Sequence, residues 1–194
     1  MKPNTLVLAS SSKYRQNLLA KLNMDFTAAP PCINEAPIPF ETPEKTSRRL
    51  SELKAKALQD QFPEHLIIGS DQVAVINDGQ IGKPGNKENT IRQLRAASGH
   101  FITFFTSVCV LNSGTGKSIT ETDRCRVYFR PLTLEQIERY VELEKPYDCA
   151  GGFKSEGLGI ALIERITGDD PNALIGLPLI KLIAILAEFR IHVV

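Results

Sequence analysis

Apolar positions along the chain recur with two periods, about every second residue and about every 3.6, and each switch of period marks an element. Residues 5–9, Thr-Leu-Val-Leu-Ala, form a short β-type run. Ser10, Ser11 and Ser12 follow, and any of them can cap the helical pattern over 13–22. The stretch "PPCINEAPIPFETPEK" is proline-rich and reads as a loop. A long helix is predicted over 44–62 with Leu50, Leu53 and Ala57 on its apolar face. Residues 65–84 read as a strand, a tight turn through Asn77-Asp78-Gly79 and a return strand. A capped helix over 86–98 presents Ile91, Leu94 and Ala97. Strands are predicted over 101–111, 120–129 and 158–166, with a glycine-bearing loop over 147–157. Thr133-Leu134-Glu135-Gln136 is a capping box that opens a helix ending before Pro146, and 177–189 reads as a buried helix. Strands and helices mix without regular βαβα alternation, so the expected fold is α/β with a mixed sheet, elongated, in one domain over 1–194.

One stretch departs from the pattern of a purely structural strand. In "LIIGSDQVAVINDGQIGKP" an apolar run is interrupted by Asp71 and Gln72 and then resumes. About a dozen positions later Lys83 stands between Gly82 and Pro84, which restrict its backbone.

Composition narrows the partners. The 194 residues carry 23 Lys plus Arg against 22 Asp plus Glu, so bulk charge holds the chain to neither nucleic acid nor an anionic membrane. The N-terminal apolar run is too short for a secretory signal, and "ALIGLPLIKLIAILAEF" contains Pro and Lys and is short of a membrane span. A cytoplasmic setting is expected. Cys32, Cys109, Cys125 and Cys149 form no C-x-x-C pair and read as free buried thiols; His65, His100 and His192 are far apart, so no zinc site is expected.

"NSGTGKS" at 112–118 imitates a phosphate-binding loop, but G-x-x-x-x-G-K-[ST] requires glycine where Leu111 stands, and β-type runs flank it. It is predicted to be a hairpin turn. The stronger candidates are dispersed. The strand–serine–helix junction at 5–22 aims free backbone N–H groups and a helix dipole at one spot, with Arg15 one turn in. The bland alternative is a serine that only caps a surface helix. Asp71 and Glu35 are a carboxylate pair suited to a hard divalent cation; alternatively Asp71 ends a strand and Glu35 is a solvated loop acid. Lys83 is a fixed cation, and Lys54 and Lys56 have equal claims by helical spacing. Together these groups suit phosphoryl chemistry. No Gly-x-Ser-x-Gly or paired His supports acyl transfer.

The ordered segments "LVLASSSKYR", "INEAP", "ELKAKAL", "IIGSDQVAV", "IGKP", "CAGGFKSEGLGI" and "DPNALIGLPL" resemble the Maf family of nucleotide pyrophosphatases, and within it the subfamily acting on 7-methyl-GTP. The resemblance runs over about residues 5–182. It implies an elongated mixed α/β fold with a central cleft, a homodimer, and divalent-metal-dependent (Mg²⁺ or Mn²⁺) hydrolysis between the α and β phosphorus atoms. By position, Asp71 matches the family's proton acceptor, and Ser10, Arg15, Lys56 and Lys83 match its phosphate contacts. Glu35 matches a carboxylate near the metal, while Tyr14, Gln72 and Glu156 match the specificity positions. Physically, Tyr14 offers a π face to a cationic N7-methylguanine, and Glu156 a carboxylate to its N–H donors. A metal-bound Asp71 is a poor base, which favours metal ligation and water positioning for it. The chain departs from the family pattern at Asn34, where Asp is common, at Lys13 for Pro, at Tyr14 for Trp and at Gly152 for Ser. Two alternatives remain open at the level of sequence: a pyrophosphatase for UTP, dTTP or other modified nucleotides, and a nucleotide-binding regulator of cell division without turnover.

Overall fold

The computed structural model describes residues 6–77 and 79–194. Thr5, the predicted first residue of the first strand, and Asp78, in the predicted hairpin turn, lie outside the described residues. The elements are β1 (Leu6–Ala9), α1 (Lys13–Ala20), β2 (Phe26–Ala29), α2 (Pro43–Lys56), β3 (Leu66–Ile76), β4 (Gly79–Ile81) and α3 (Lys87–Ala97). They continue with β5 (Phe101–Asn112), β6 (Ser118–Phe129), α4 (Leu134–Glu144), β7 (Ile163–Thr167), α5 (Pro171–Ile175) and α6 (Leu179–Glu188). The strands make one mixed sheet in the order β2-β1-β3-β5-β6-β7, with β4 paired to β3. β1 lies parallel to both β2 and β3, with Leu6 opposite Phe26 and Leu66. β3 with β4 and β6 with β7 are antiparallel.

The chain divides into two compact units. One holds the described residues up to Gln72 together with Thr106–Asp123 and Asp170–Val194; the other holds Val73–Phe105 and Arg124–Asp169. In the first unit the strand period of two assigns each face of the sheet. Leu6, Leu8, Leu66 and Ile68 join Leu18 and Leu19 of α1 and Leu182, Ile185 and Leu186 of α6 in one core. Val7, Ala9 and Ile67 point the other way and pack with Ala55, Leu58 and Cys109. Burying each such Leu or Ile stabilises the fold by about 1.5–3 kcal/mol. In the second unit Phe153 meets Phe104 and Phe129 edge-on, at centroid distances of 5.9 and 5.1 Å.

Helix α2 ends at Lys56, with turns where the pattern extended it to residue 62, and its buried face differs from the predicted one. Leu50 is buried, but Leu53 and Ala57 are exposed, and the inner face is Thr46, Ser47, Ser51, Lys54 and Ala55. The reason is Gly69 of β3. A Cβ there would stand 2.1 Å from the Ser51 carbonyl oxygen and 2.7 Å from the Ala55 nitrogen, so the helix backbone rests directly on the strand. Small residues permit that approach, and apolar bulk would prevent it.

Three further elements differ from the pattern. β2, Phe-Thr-Ala-Ala, has a weak strand signal and forms through parallel pairing with β1. Residues 158–162 turn as a 3₁₀ segment before β7 starts at Ile163. The C-terminal region holds the extra short helix α5, separated from α6 by Gly176, whose φ of +128° favours glycine. The turn at 112–118 is the expected hairpin: Asn112 Oδ1 accepts from the Gly114 and Thr115 amides, and Gly116 has φ +72°. Cys109 and Cys125 are buried as expected, whereas Cys32 is exposed and Cys149 half-buried. Burial pushes the Cys109 thiol up to about 11. Among the described residues no helix is long and apolar enough to cross a membrane.

Candidate active site

The site is built at the C-terminal ends of β1 and of the Leu66–Gln72 part of β3. After Ala9 the chain turns through three serines into α1. Ser12 is the N-cap, and the buried Ser10 hydroxyl accepts from the Ser12 amide at 3.1 Å, leaving its own proton available. First-turn amides of a helix have no intrahelical acceptor, so this junction favours anions. Arg15 is fastened through one edge, Nε donating to the Gly176 carbonyl at 2.8 Å. Desolvation lowers its pKa, and the charges of Asp71 and Glu35 oppose that shift.

Asp71 is not at a strand end. β3 runs unbroken through it, and the side chain is only 6% exposed. The alternation that sends Gly69 against α2 sends Asp71 to the same face, where Lys54 Nζ reaches its Oδ1 at 2.6 Å. The same ammonium reaches Glu35 Oε1 at 2.9 Å. Burial pushes the Asp71 carboxyl above the ordinary carboxylate range; Lys54 and Arg15 pull in the opposite direction, and Glu35 adds to the rise. The net upward direction shows that desolvation outweighs the ammonium, so the ionised carboxylate is short of positive charge.

Two carboxylates converging on one ammonium mark a spot where a cation is favoured, and Lys54 holds that spot here. The donor set is all oxygen with two protein ligands, which fits a hard divalent cation that completes its shell with water and phosphate oxygens. Among the described residues no group of three or more His, Cys, Asp or Glu gathers. Asn34 does not add a donor to the pair: its Oδ1 accepts from the Ala36 amide at 2.9 Å and shapes the turn carrying Glu35. The far end of that loop is anchored by Glu41, which takes Arg49 at 2.7–3.1 Å and the Thr46 hydroxyl at 3.0 Å. Arg49 holds the Glu41 carboxyl below the usual carboxylate range.

Gln72 points to the opposite face of β3 from Asp71. Its Nε2 is fully committed, to Thr106 Oγ1, the Ala173 carbonyl and the Leu174 carbonyl, each at 3.0 Å. Three acceptors around one nitrogen fix the amide orientation and leave Oε1 as the group it can present. Tyr14 is half-buried on α1 beside Arg15.

Ser10, Arg15, Glu35, Asp71 and Gln72 thus gather in the first unit, with Tyr14 on the same helix as Arg15. Lys56 is exposed near the end of α2, and the lysine that meets Asp71 is Lys54. Its signal in the sequence was its spacing: Lys54 follows Leu50 by four residues and shares the buried face. Lys83 and Glu156 belong to the second unit and are exposed. The carbonyls flanking Lys83 are held from α3, Gly82 by Gln93 at 3.1 Å and Pro84 by Asn89 at 2.9 Å. The loop carrying Glu156 is held by α4: the Tyr140 hydroxyl accepts from the Lys154 amide, and Glu144 accepts from the Leu158 amide. Burial raises the Tyr140 phenol above its ordinary value.

The Maf-like protein family model matches residues 5–189. A 7-methyl-GTP pyrophosphatase of Pseudoalteromonas translucida is 53% identical over 97% of this chain and 93% of its own length. Proteins of the same name from Nitrosococcus oceani and Vibrio vulnificus are 50% and 52% identical, over 96% and 94% of this chain and 94% of each relative. A Ham1 protein of Staphylococcus aureus superposes with a TM-score of 0.46 at 12% identity, over 66% of this chain and 73% of that one. With the family model spanning nearly its whole length and relatives half identical to it, the chain belongs to the Maf family.

Proposed function

We propose that the protein is a nucleoside triphosphate pyrophosphatase that hydrolyses 7-methyl-GTP to 7-methyl-GMP and pyrophosphate with the help of a divalent metal. The observation that carries the reading is the buried Asp71 with Lys54 and Glu35 beside Arg15, in a chain half identical to proteins named for that activity. Water attacks the α-phosphorus, the bond to the α–β bridging oxygen breaks, and pyrophosphate leaves. Asp71 orients the water, the role that metal ligation leaves it, and the water's proton passes to solvent. Ser10 and the α1 N-terminus donate to phosphate oxygens, and the edge of Arg15 that does not bind Gly176 grips the triphosphate. A divalent cation held by Glu35 and Asp71, Mg²⁺ or Mn²⁺, would neutralise the triphosphate and lower the pKa of the attacking water.

By family resemblance, Lys83 and Lys56 are assigned to phosphate, and Tyr14, Gln72 and Glu156 to the base. The Tyr14 ring would stack on the cationic N7-methylguanine, worth about 0.5–2 kcal/mol. Gln72 Oε1 and the Glu156 carboxylate are acceptors suited to the guanine N1–H and N2–H₂. The same resemblance supports a homodimer and the whole chain acting as one catalytic domain, and a cytoplasmic setting is the default reading of its apolar segments.

The test is pyrophosphate release from 7-methyl-GTP, GTP, UTP, dTTP and CTP, with Mg²⁺ and then Mn²⁺. Preference for 7-methyl-GTP, lost selectively in Glu156→Gln, is expected. Preference for UTP or dTTP would keep the reaction and discard the base assignment. No release from any nucleotide would discard the enzyme in favour of a nucleotide-binding regulator.

A further inference from the structure

The phosphate arginine and the base-reading glutamine are fastened to one short piece of backbone. Arg15 Nε donates to the Gly176 carbonyl, and Gln72 Nε2 to the carbonyls of Ala173 and Leu174. All of these residues lie in the first unit. The turn is braced from β3 and β5 as well: the single Ser70 hydroxyl proton is shared between the Ser107 carbonyl at 2.8 Å and the Gly176 carbonyl at 3.0 Å, and Thr106 Oγ1 donates to the Ala173 carbonyl at 2.9 Å. Three carbonyls of this stretch, those of Ala173, Leu174 and Gly176, accept from side chains, and its placement sets where Arg15 and Gln72 point.

What fixes the turn is Asp170, a carboxylate only 1% exposed. Its Oδ1 accepts from the amide and side chain of Asn172, at 2.8 and 2.9 Å, and caps α5. Its Oδ2 accepts from the Ile180 amide at 2.7 Å, in the first turn of α6. One carboxylate thus pins both ends of the segment 171–180. Asn172 in turn takes Lys21 Nζ on its Oδ1 at 3.0 Å, close to the end of the helix that carries Arg15.

We propose that Asp170 is a positioning residue that couples the grip on phosphate to the choice of base, acting through the Ala173–Gly176 carbonyls on Arg15 and Gln72. This rests on the assignment of Arg15 to phosphate and Gln72 to base made above. Asp170 need not touch substrate; its removal frees the turn, and both donors then lose their fixed acceptors. An Asn at 170 keeps an acceptor for Asn172 but sets an amide group against the Ile180 N–H, so the α6 end is released first.

The experiment is steady-state pyrophosphate release with Mg²⁺ from 7-methyl-GTP and UTP by wild type, Asp170→Asn, Ser70→Ala, Arg15→Met and the Arg15→Met/Asp170→Asn pair. Asp170→Asn is expected to raise KM for 7-methyl-GTP about tenfold, as for partial loss of one charge-assisted hydrogen bond. It should also lower the ratio of kcat/KM between 7-methyl-GTP and UTP, with kcat changed by less than about threefold. In the Arg15→Met background it should raise KM by less than in wild type, because only the Gln72 branch of the coupling remains. Ser70→Ala, which removes one of the two donors to the Gly176 carbonyl, should move KM in the same direction by less; it stands in if Asp170→Asn does not fold. A loss confined to thermal stability or to the fraction of active enzyme, with KM and the substrate ratio unchanged, would make Asp170 a cap only and overturn the proposal. If Arg15→Met itself leaves KM unchanged, the phosphate assignment beneath the proposal falls with it. If Arg15→Met raises KM and Asp170→Asn does not, the coupling alone is wrong.

Discussion

Replacing Gly69 by alanine tests how Asp71 and Lys54 are brought together. The added Cβ would stand 2.1 Å from the Ser51 carbonyl oxygen, about 1.3 Å inside an ordinary 3.4 Å contact, and 2.7 Å from the Ala55 nitrogen. Both are backbone atoms of α2, so no side-chain rotation relieves the overlap, and the helix must lift from β3. A movement of that size takes Lys54 Nζ, now 2.6 Å from Asp71 Oδ1, out of hydrogen-bond range. Overpacking of this kind costs about 1–3 kcal/mol, and separating a buried ion pair adds to it. A total of about 3 kcal/mol lowers the melting temperature of a chain this size by about 6–12 °C. Pyrophosphate release should fall with it, since Lys54 no longer balances Asp71. Thermal unfolding followed by near-ultraviolet circular dichroism, alongside the activity assay, gives both numbers. Gly82→Ala, where nothing lies within 4 Å of the added Cβ, is the stability control. A Gly69→Ala protein that melts within about 2 °C of wild type with full activity would refute the packing argument.

Other consequences follow from the same geometry. Lys54→Met leaves Asp71 and Glu35 without their shared ammonium and should cost about 3 kcal/mol, while Lys56→Met on the exposed face should stay within about 0.5 kcal/mol; urea unfolding separates them. Because the Asp71 pKa is raised on folding, the folded state binds a proton more tightly than the unfolded one. Its contribution to stability is therefore greatest below the unfolded value of about 4 and declines as pH rises through the folded value. Asp71→Asn should abolish turnover yet flatten that decline, read by urea unfolding across pH with chelator present; an unchanged slope would count against the raised pKa. Gln72→Glu sets a carboxylate against Thr106 and two carbonyls where a donor stood, and should cost about 1–3 kcal/mol by thermal unfolding; a wild-type melting temperature would show the amide orientation to be wrong.

The sequence by itself determined what local chemistry can determine. Near-continuous apolar runs marked β1, β3 and β5, because a strand with both faces covered is apolar at nearly every position, and alternation of apolar and polar residues marked β6. The serines at 10–12, Asn86 and Thr133 announced helix starts, because such side chains satisfy amides within the same turn, and Ser12 is the serine that does so. The polar pair Asp71-Gln72 stood out because burial of such groups requires partners, and the partners are there. Tertiary structure alone decided the rest. That Lys54 rather than Lys56 meets Asp71 depends on the rotation of α2 about its axis, which Gly69 sets by close approach rather than by any apolar stripe. β2 exists because β1 offers it a parallel edge, and α5 because Asp170 caps it and the side chains of Arg15, Ser70, Gln72 and Thr106 take its carbonyls. Those contacts join residues more than sixty, and in most cases more than a hundred, positions apart. Periodicity reads neighbours along the chain; it carries no information about which distant segment will supply the acceptor for a buried donor.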